Sequence, residues 1–354
     1  MRTGVVTIRD VAQAAGVSIT TVSHTINGTR RVSEELRARV LQAMAELNYR
    51  PNVLARGLRL GQTKTIGLII PDNSNLFFAE IARAIEDIGY QNGYSVILCN
   101  SDRKTDKQRR YIQTLVEKQV DGVIFISSGE TTEDLQYLID NRIQLVVVDR
   151  DVPHVSTDIV LLDNELAGYQ ATRYLVELGH RRIACISGPS ELTPSAQRVD
   201  GYRRALREAG LTVDPALVVA GDFQIESGEA GIARLLELKP RPSAVFVCND
   251  MMAIGAIRGA RYAGLRIPEE LSICGFDDIA LARAVYPALT TMAQPILEMA
   301  RLATELLMRR MRGEIEDGAR QRVVLSARLV IRDSCGPWPA RQQADRSEGG
   351  DAMP

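Results

Sequence analysis

The 354-residue chain is poor in the groups on which most protein chemistry rests. Its three histidines, His24, His154 and His180, are scattered, and none has a partner at metal-ligand spacing. Its five cysteines, Cys99, Cys185, Cys248, Cys274 and Cys335, lie far apart with no CxxC, and four sit in or beside apolar, strand-like runs. Free buried thiols in a reducing cytoplasm are expected; a disulfide framework or a zinc site is not. GxxxxGK[ST], GxGxxG after a strand, GxSxG and HExxH are all missing, so the usual equipment of nucleotide-dependent, serine and zinc enzymes is missing too. No catalytic residue, metal or cofactor is expected. No apolar run approaches the roughly 18 to 20 residues that cross a bilayer, and the N-terminal stretch lacks the apolar segment of a secretory signal. The expectation is a cytoplasmic protein with no membrane partner.

What is present is ordinary in bulk and uneven in distribution. Apolar residues make up 45% and charged residues 25% of the chain, as in soluble globular proteins. The length suggests two or three folding units. Residues 1–62 carry nine Lys and Arg against four Asp and Glu, while the remainder carries 34 against 40. A small basic head on an acidic body suggests a polyanion partner for the head. A merely solvated charged surface is the alternative.

The head reads as three helices. Thr7 is suited to cap a helix over 8–14, with Asp10 in its first turn. Gly16 supplies a tight turn, Ser18 caps a second helix over 19–26, and Asn27-Gly28 ends it. Ser33, followed by two glutamates, opens a third helix to about Leu47, in which Leu36, Val40, Ala43, Met44 and Leu47 recur at helical spacing. Val11, Ala12, Ala15, Val17, Val22 and Ile26 can complete one small core. Pro51-Asn52 then breaks the chain, and "VLARGLRLGQT" is too short to be a stable helix alone.

From Thr65 apolar runs alternate with amphipathic stretches. The runs are 65–71, 95–100, 122–127, 145–149, 182–188, 218–222, 244–250 and 272–278. Such alternation indicates parallel sheets covered on both faces. Eight units exceed one open sheet of usual size, so the fold class is α/β: a three-helix helix-turn-helix head plus two doubly wound parallel-sheet subdomains. The expected organisation is a three-helix head (1–50), a linker (51–62) and a core (63–335). Within the core, the N-subdomain takes 63–162 and 293–321, and the C-subdomain 163–292 and 322–335. The Pro, Gly and polar composition of 336–354 predicts a disordered tail, in which the lone Trp338 marks no site.

Two helices joined by a short glycine turn resemble a helix-turn-helix, whose second helix enters the major groove. Ile19, Thr20 and His24 project from one face of that helix. Thr20 and His24 can hydrogen-bond base edges, and Ile19 can touch a thymine methyl. Thr21, Ser23 and Asn27 are short polar groups suited to phosphates; Thr7 and Ser18 at the helix starts join the candidate DNA contacts. A three-helix adaptor with a polar surface is the alternative.

"DVAQAAGVSITTVSHTIN", then "VS", a helix ending in "LNYRPN" and the hinge-like "LARGL" resemble the head of the lactose-repressor (LacI/GalR) family. The similarity continues through "TIGLIIPD", "VDGVIF", "LGHRRIACISGP", "RVDGYRRAL", "CNDMMAIGA" and "ICGFDDI", and covers essentially residues 7–334. The resemblance implies a hinge that folds on operator DNA and wedges a leucine into the minor groove, here Leu58, with Arg56 and Arg59 suited to nearby phosphates. Gly57 stands where a small helix-former is more usual and costs a hinge helix about 1 kcal/mol relative to alanine.

The body resembles the periplasmic sugar-binding proteins. In doubly wound sheets ligands lie outside the carboxyl ends of the strands. Asp72 to Phe78, Asp149-Arg150, Phe223, Asn249-Asp250 and Asp277-Asp278 fall at those ends, with Arg198 and Gln294 close by. Carboxylates, amides and arginines suit sugar hydroxyls, and phenylalanines suit C–H faces. The resemblance to ribose-type binding proteins implies Asn75, Phe77, Phe78, Asp149, Arg150, Arg198, Phe223, Asn249, Asp277 and Gln294 as effector contacts, with Leu76 where a proline is common. A pentose, ribose first, is the expected effector; a hexose, nucleoside or purine acting as corepressor is the alternative.

These readings combine into a sequence-specific transcriptional repressor that is not an enzyme. It would act as a homodimer on a pseudo-palindromic operator and be switched by a small sugar. Ile81, Ile85 and Ile88 are candidates for the dimer surface or, equally, for the core. A sugar-binding transport component is the remote alternative, and it has no use for a basic head.

Overall fold

In a computed structural model, residues 6–50, 62–126, 132–152, 154–316 and 318–338 are described. They form two compact units, one up to Lys64 and one from Thr65 onward.

The first unit contains α1 (Ile8–Ala15), α2 (Ile19–Asn27) and α3 (Glu34–Glu46). The Asp10 carboxylate accepts from both the backbone N–H and the hydroxyl of Thr7, which starts α1. Gly16, at φ 62°, turns the chain between α1 and α2 in the left-handed region that glycine adopts without strain. Ser18 accepts from the Thr21 N–H and caps α2. Val11, Ala12, Ala15, Val22, Val40 and Ala43 form the buried core, packed by Ile8, Val17, Ile26, Met44 and Leu47. The Arg39 guanidinium on α3 donates to the carbonyl oxygens of Ala15 and Gly16, pinning the turn from below.

The second unit holds two six-stranded sheets. The first, in order β11-β5-β4-β3-β1-β2, is parallel throughout: β1 (Thr65–Ile70), β2 (Ser95–Asn100), β3 (Gly122–Ile126), β4 (Gln144–Val148), β5 (Asp158–Leu162) and β11 (Arg322–Leu325). The second, in order β12-β10-β9-β8-β6-β7, is parallel except where β12 joins β10: β6 (Ile183–Ser187), β7 (Val218–Ala220), β8 (Ala244–Val247), β9 (Ser272–Asp277), β10 (Thr290–Ala293) and β12 (Arg328–Val330). Strands such as "GVIFI" and "IACIS" are buried along their whole length because helices cover both faces of a parallel sheet. Those helices are α4 (Leu76–Gln91), α5 (Thr105–Glu117), α6 (Thr132–Asp140) and α11 (Ile296–Met311) on the first sheet. On the second they are α7 (Asn164–Glu177), α8 (Thr193–Glu208), α9 (Ile225–Glu237) and α10 (Asp250–Tyr262).

Two sequence expectations need correction, and one that was left open is decided. The segment 322–335 does not belong wholly to the second subdomain. β11 pairs with β5, Leu325 opposite Leu162, and only after residue 325 does the chain cross to β12. An edge strand with alternating exposure carries no mark of which sheet it joins. Residues 336–338, expected in a disordered tail, are docked. The Trp338 N–H donates to the Leu178 carbonyl, and its indole lies 5.6 Å from the His180 ring. Of the two roles open to Ile81, Ile85 and Ile88, dimer surface or core, the core holds for the first two, which are fully buried in the first subdomain, and Ile88 packs partly against it. The eight apolar runs became strands, while β5 and β10, the latter reading only "TTMA", went unnoticed.

Candidate functional site

All ten residues proposed as effector contacts line one cavity between the two sheets. The sheets supply them from their carboxyl ends. Asn75 caps α4 just after β1, with Phe77 and Phe78 in the first turn behind it. Asp149 and Arg150 follow β4, Phe223 follows β7, Asn249 follows β8, Asp277 ends β9 and Gln294 follows β10. Arg198 reaches in from α8. It can do so because α7 and α8 cross closely: a Cβ on Gly168 would collide with the Arg198 carbonyl, and one on Gly201 with the Glu165 carbonyl. That approach sets Asn164 Oδ1 2.8 Å from Arg198 Nε.

Arg198 is the most tightly held of these side chains. Besides Asn164, its Nη1 donates to the Cys248 carbonyl at 2.6 Å, and its guanidinium lies 3.7 Å from the centre of the Phe276 ring. It stands 3.9 Å from Asp277 Oδ1, which also accepts from Gln294 Nε2 at 2.7 Å. Burial pushes the Asp277 carboxyl up to about 7, against the pull of Arg198 and the Gln294 hydrogen bond. Burial likewise raises Asp149 and lowers Arg150, each partly offset by the other's charge at 3.8 Å. Asn249 accepts from the Met252 N–H and donates to the Phe223 carbonyl, so it shapes the wall by fixing its neighbours. Phe77 and Phe78 meet edge to face, 5.2 Å between centres.

Four of the buried polar atoms without a hydrogen-bond partner among the described residues belong to this cavity: Asp149 Oδ1, Arg150 Nε, Arg150 Nη1 and Gln294 Oε1. Two donate and two accept. A buried polar atom left unpaired costs about 1–3 kcal/mol, so the site is built for a ligand that offers hydrogen-bond donors and acceptors together. Asp149, Phe223 and Asp277 also hold φ of 74°, 70° and 114°, a strain that non-glycine residues carry most often where a ligand is gripped.

Two strand-end carboxylates named from the sequence turn away. Asp250 accepts from Thr291 Oγ1 and from the Ile279 N–H, while Asp278 pairs with Arg332 at 2.6 Å. Residues that the sequence did not single out matter as much. Leu192 and Pro194 line the cavity. A Cβ on Gly188 would collide with the Phe223 ring. Three ties span the cleft: Gln224 Nε2 to Asp72 Oδ2 at 3.1 Å, Arg103 Nη1 to the Asp222 carbonyl at 2.8 Å, and the Ala280 N–H to Glu80 Oε1 at 2.9 Å. Consecutive left-handed residues, Asp102 and Arg103, aim that arginine. No local sequence signal marks such partners.

In the head, Ser18, Ile19 and Thr20 are exposed on α2, and His24 is half-buried. Thr7, Thr21, Ser23 and Asn27 are engaged within the head: Thr7 with Asp10, Thr21 with Ser18, and Asn27 with the Ser23 carbonyl. Arg56, Leu58 and Arg59 lie outside the described residues. Among the described residues no cluster of His, Cys, Asp and Glu is arranged to hold a metal, all five cysteines are free thiols, and no helix is long and apolar enough to cross a membrane.

Comparison with known proteins places both units. Residues 7–52 match the model of bacterial regulatory proteins of the lacI family, and residues 172–335 match the periplasmic binding protein-like domain. The HTH-type transcriptional repressor PurR of Proteus mirabilis is 42% identical over 94% of this chain and 98% of its own length. The ribose operon repressor of Haemophilus influenzae is 39% identical over 93% and 98%. A lac repressor dimer, solved bound to operator and the anti-inducer ONPF, superposes with a TM-score of 0.84 at 27% identity, covering 94% of this chain and all of that one. A helix-turn-helix head followed by a two-sheet body of this topology is the build of a DNA-binding transcriptional regulator. The chain belongs to the LacI family, and its relatives are regulators of transcription rather than enzymes.

Proposed function

We propose that this protein represses transcription as a homodimer on a pseudo-palindromic operator, and that a small sugar, ribose first, held between the two sheets controls its grip on DNA. The observation that carries the effector reading is the set of unpaired atoms in the cavity. Arg150 offers two donors, and Asp149 and Gln294 offer an acceptor each, beside phenylalanine rings. Each sugar hydroxyl both donates and accepts, and its C–H face is apolar. The ten effector contacts are Asn75, Phe77, Phe78, Asp149, Arg150, Arg198, Phe223, Asn249, Asp277 and Gln294. Ile19, Thr20 and His24 read base edges, Thr7, Ser18, Thr21, Ser23 and Asn27 approach the backbone, and Leu58 wedges the minor groove between Arg56 and Arg59.

Coupling follows from differential affinity. A ligand bridging the sheets favours the closed body, and closure changes the spacing of the paired heads. For a sugar, induction is expected. Similarity to purine repressors favours a second reading, a purine corepressor. A thermal-shift screen over pentoses, hexoses, nucleosides and purines, followed by gel shifts on promoter DNA with and without each hit, separates the two. A hit that raises the melting temperature yet leaves operator affinity unchanged refutes the switch.

A further inference from the structure

His24 is the one proposed base reader whose chemistry depends on a proton's position, and the structure holds one of its two ring nitrogens. Nδ1 lies 2.7 Å from the Thr29 hydroxyl. Thr29 can reach it because α2 stops at Asn27: Gly28, at φ 63°, turns the chain back, and its N–H donates to the His24 carbonyl. The Asn27 side chain, at the end of the same helix, is held by the Ser23 carbonyl. With Nδ1 engaged by Thr29, Nε2 is the ring nitrogen left for another partner.

We propose that Thr29 is a positioning residue that locks the His24 ring and its tautomer, so that Nε2 is presented as a hydrogen-bond donor and the head selects guanine at that position. A neutral imidazole has one N–H and one acceptor nitrogen, and the partner of one nitrogen decides the role of the other. Neutral histidine in water prefers its proton on Nε2, and a threonine hydroxyl can rotate to donate into Nδ1. The Nε2 N–H then meets an acceptor, and in the major groove guanine presents two side by side, N7 and O6, whereas adenine N7 lies beside an amino donor and thymine offers O4 beside its methyl. The opposite tautomer would present an acceptor and select the amino groups of adenine or cytosine. This inference rests on the reading of α2 as the base-reading helix, and the experiment separates the two.

Duplexes are selected from a random library by the full-length protein and by its His24→Ala, Thr29→Val and Thr29→Ser variants, each checked for an unchanged melting profile. His24→Ala should lose its preference at one base pair per half-site. Thr29→Val should lose about tenfold at that same pair, the scale of one good base contact, and Thr29→Ser should restore it. Thr29→Val selecting that pair as sharply as wild type, when His24→Ala does not, overturns the inference alone. An unchanged selection by His24→Ala overturns the reading beneath it as well. Nitrogen NMR of the ¹⁵N-histidine-labelled chain, with the His24 signals assigned by difference from His24→Ala, should show Nε2 protonated in the wild type and a mixture in Thr29→Val. A wild-type ring protonated on Nδ1, or selection of cytosine at the His24 position, overturns it too.

Discussion

Replacing Arg198 with alanine tests both the architecture of the cavity and its purpose. The guanidinium satisfies Asn164 Oδ1 and the Cys248 carbonyl, both buried, and stacks on Phe276 at 3.7 Å. Truncation strands two acceptors at about 1–3 kcal/mol each and removes a desolvated cation–π contact worth about 1–2 kcal/mol. Asp277 escapes the loss of its neighbouring cation by holding its proton, since burial has already raised it to about 7. The total is roughly 3–8 kcal/mol. At about 2–4 °C per kcal/mol for a chain of this size, the melting temperature should fall by about 10 °C or more. Differential scanning calorimetry measures it, and the same sample titrated with the best sugar should show no ligand-induced shift. Asn164→Ala alone and combined with Arg198→Ala completes a cycle in which the two losses should be less than additive. A variant that melts within about 3 °C of wild type, or still responds to the sugar, refutes the assignment of Arg198 as the keystone of the cavity.

Three other outcomes are expected. Gly188→Ala should push the Phe223 ring out of the cavity and weaken sugar binding by about tenfold or more, with little change in melting temperature, because the ring is only partly buried; calorimetric titration showing wild-type affinity would dismiss the ring as a contact. Arg103→Gln removes the tie to the Asp222 carbonyl across the cleft mouth. At about 0.5–1.5 kcal/mol for one such bond, sugar affinity should drop up to about tenfold, and unchanged affinity would mean that closure does not draw on it. His180, lowered by burial from 6.5 to about 4, stays neutral when folded while the unfolded chain takes up a proton. Its contribution is therefore intact above pH 6.5 and declines by about 3 kcal/mol as the pH falls to about 4. Asp277, raised to about 7, acts in the opposite sense, stabilising the fold increasingly as pH falls below 7. The stability difference between wild type and His180→Gln isolates the histidine, and a difference that does not change with pH would be inconsistent with the buried neutral ring.

Much of the scaffold was legible because it rests on local patterns. Thr7 with Asp10, Gly16, and Ser18 with Thr21 are start and stop signals within a turn or two of one another, and the three-helix head follows from them. The apolar runs are equally local, since a strand buried on both faces must be apolar throughout. β10 escaped because "TTMA" is buried yet half polar: the Thr291 hydroxyl bonds Asp250, and that of Thr290 accepts from the Arg332 N–H. β5 escaped because it follows closely on β4 with no helix between them, one of the places where the alternation breaks.

The head, the alternation that makes two doubly wound sheets, and the strand ends where polar side chains gather are all written in neighbours and periodicities. Tertiary structure alone decided which of those side chains meet. Arg103 and Asp222 are 119 positions apart and touch only because two sheets close on one another. Thr291 and the Ile279 N–H hold Asp250, and Arg332 holds Asp278, whereas packing leaves one carboxylate oxygen of Asp149 without a partner among the described residues. A carboxylate's identity is local, but whether it is satisfied depends on the arrangement of the whole fold.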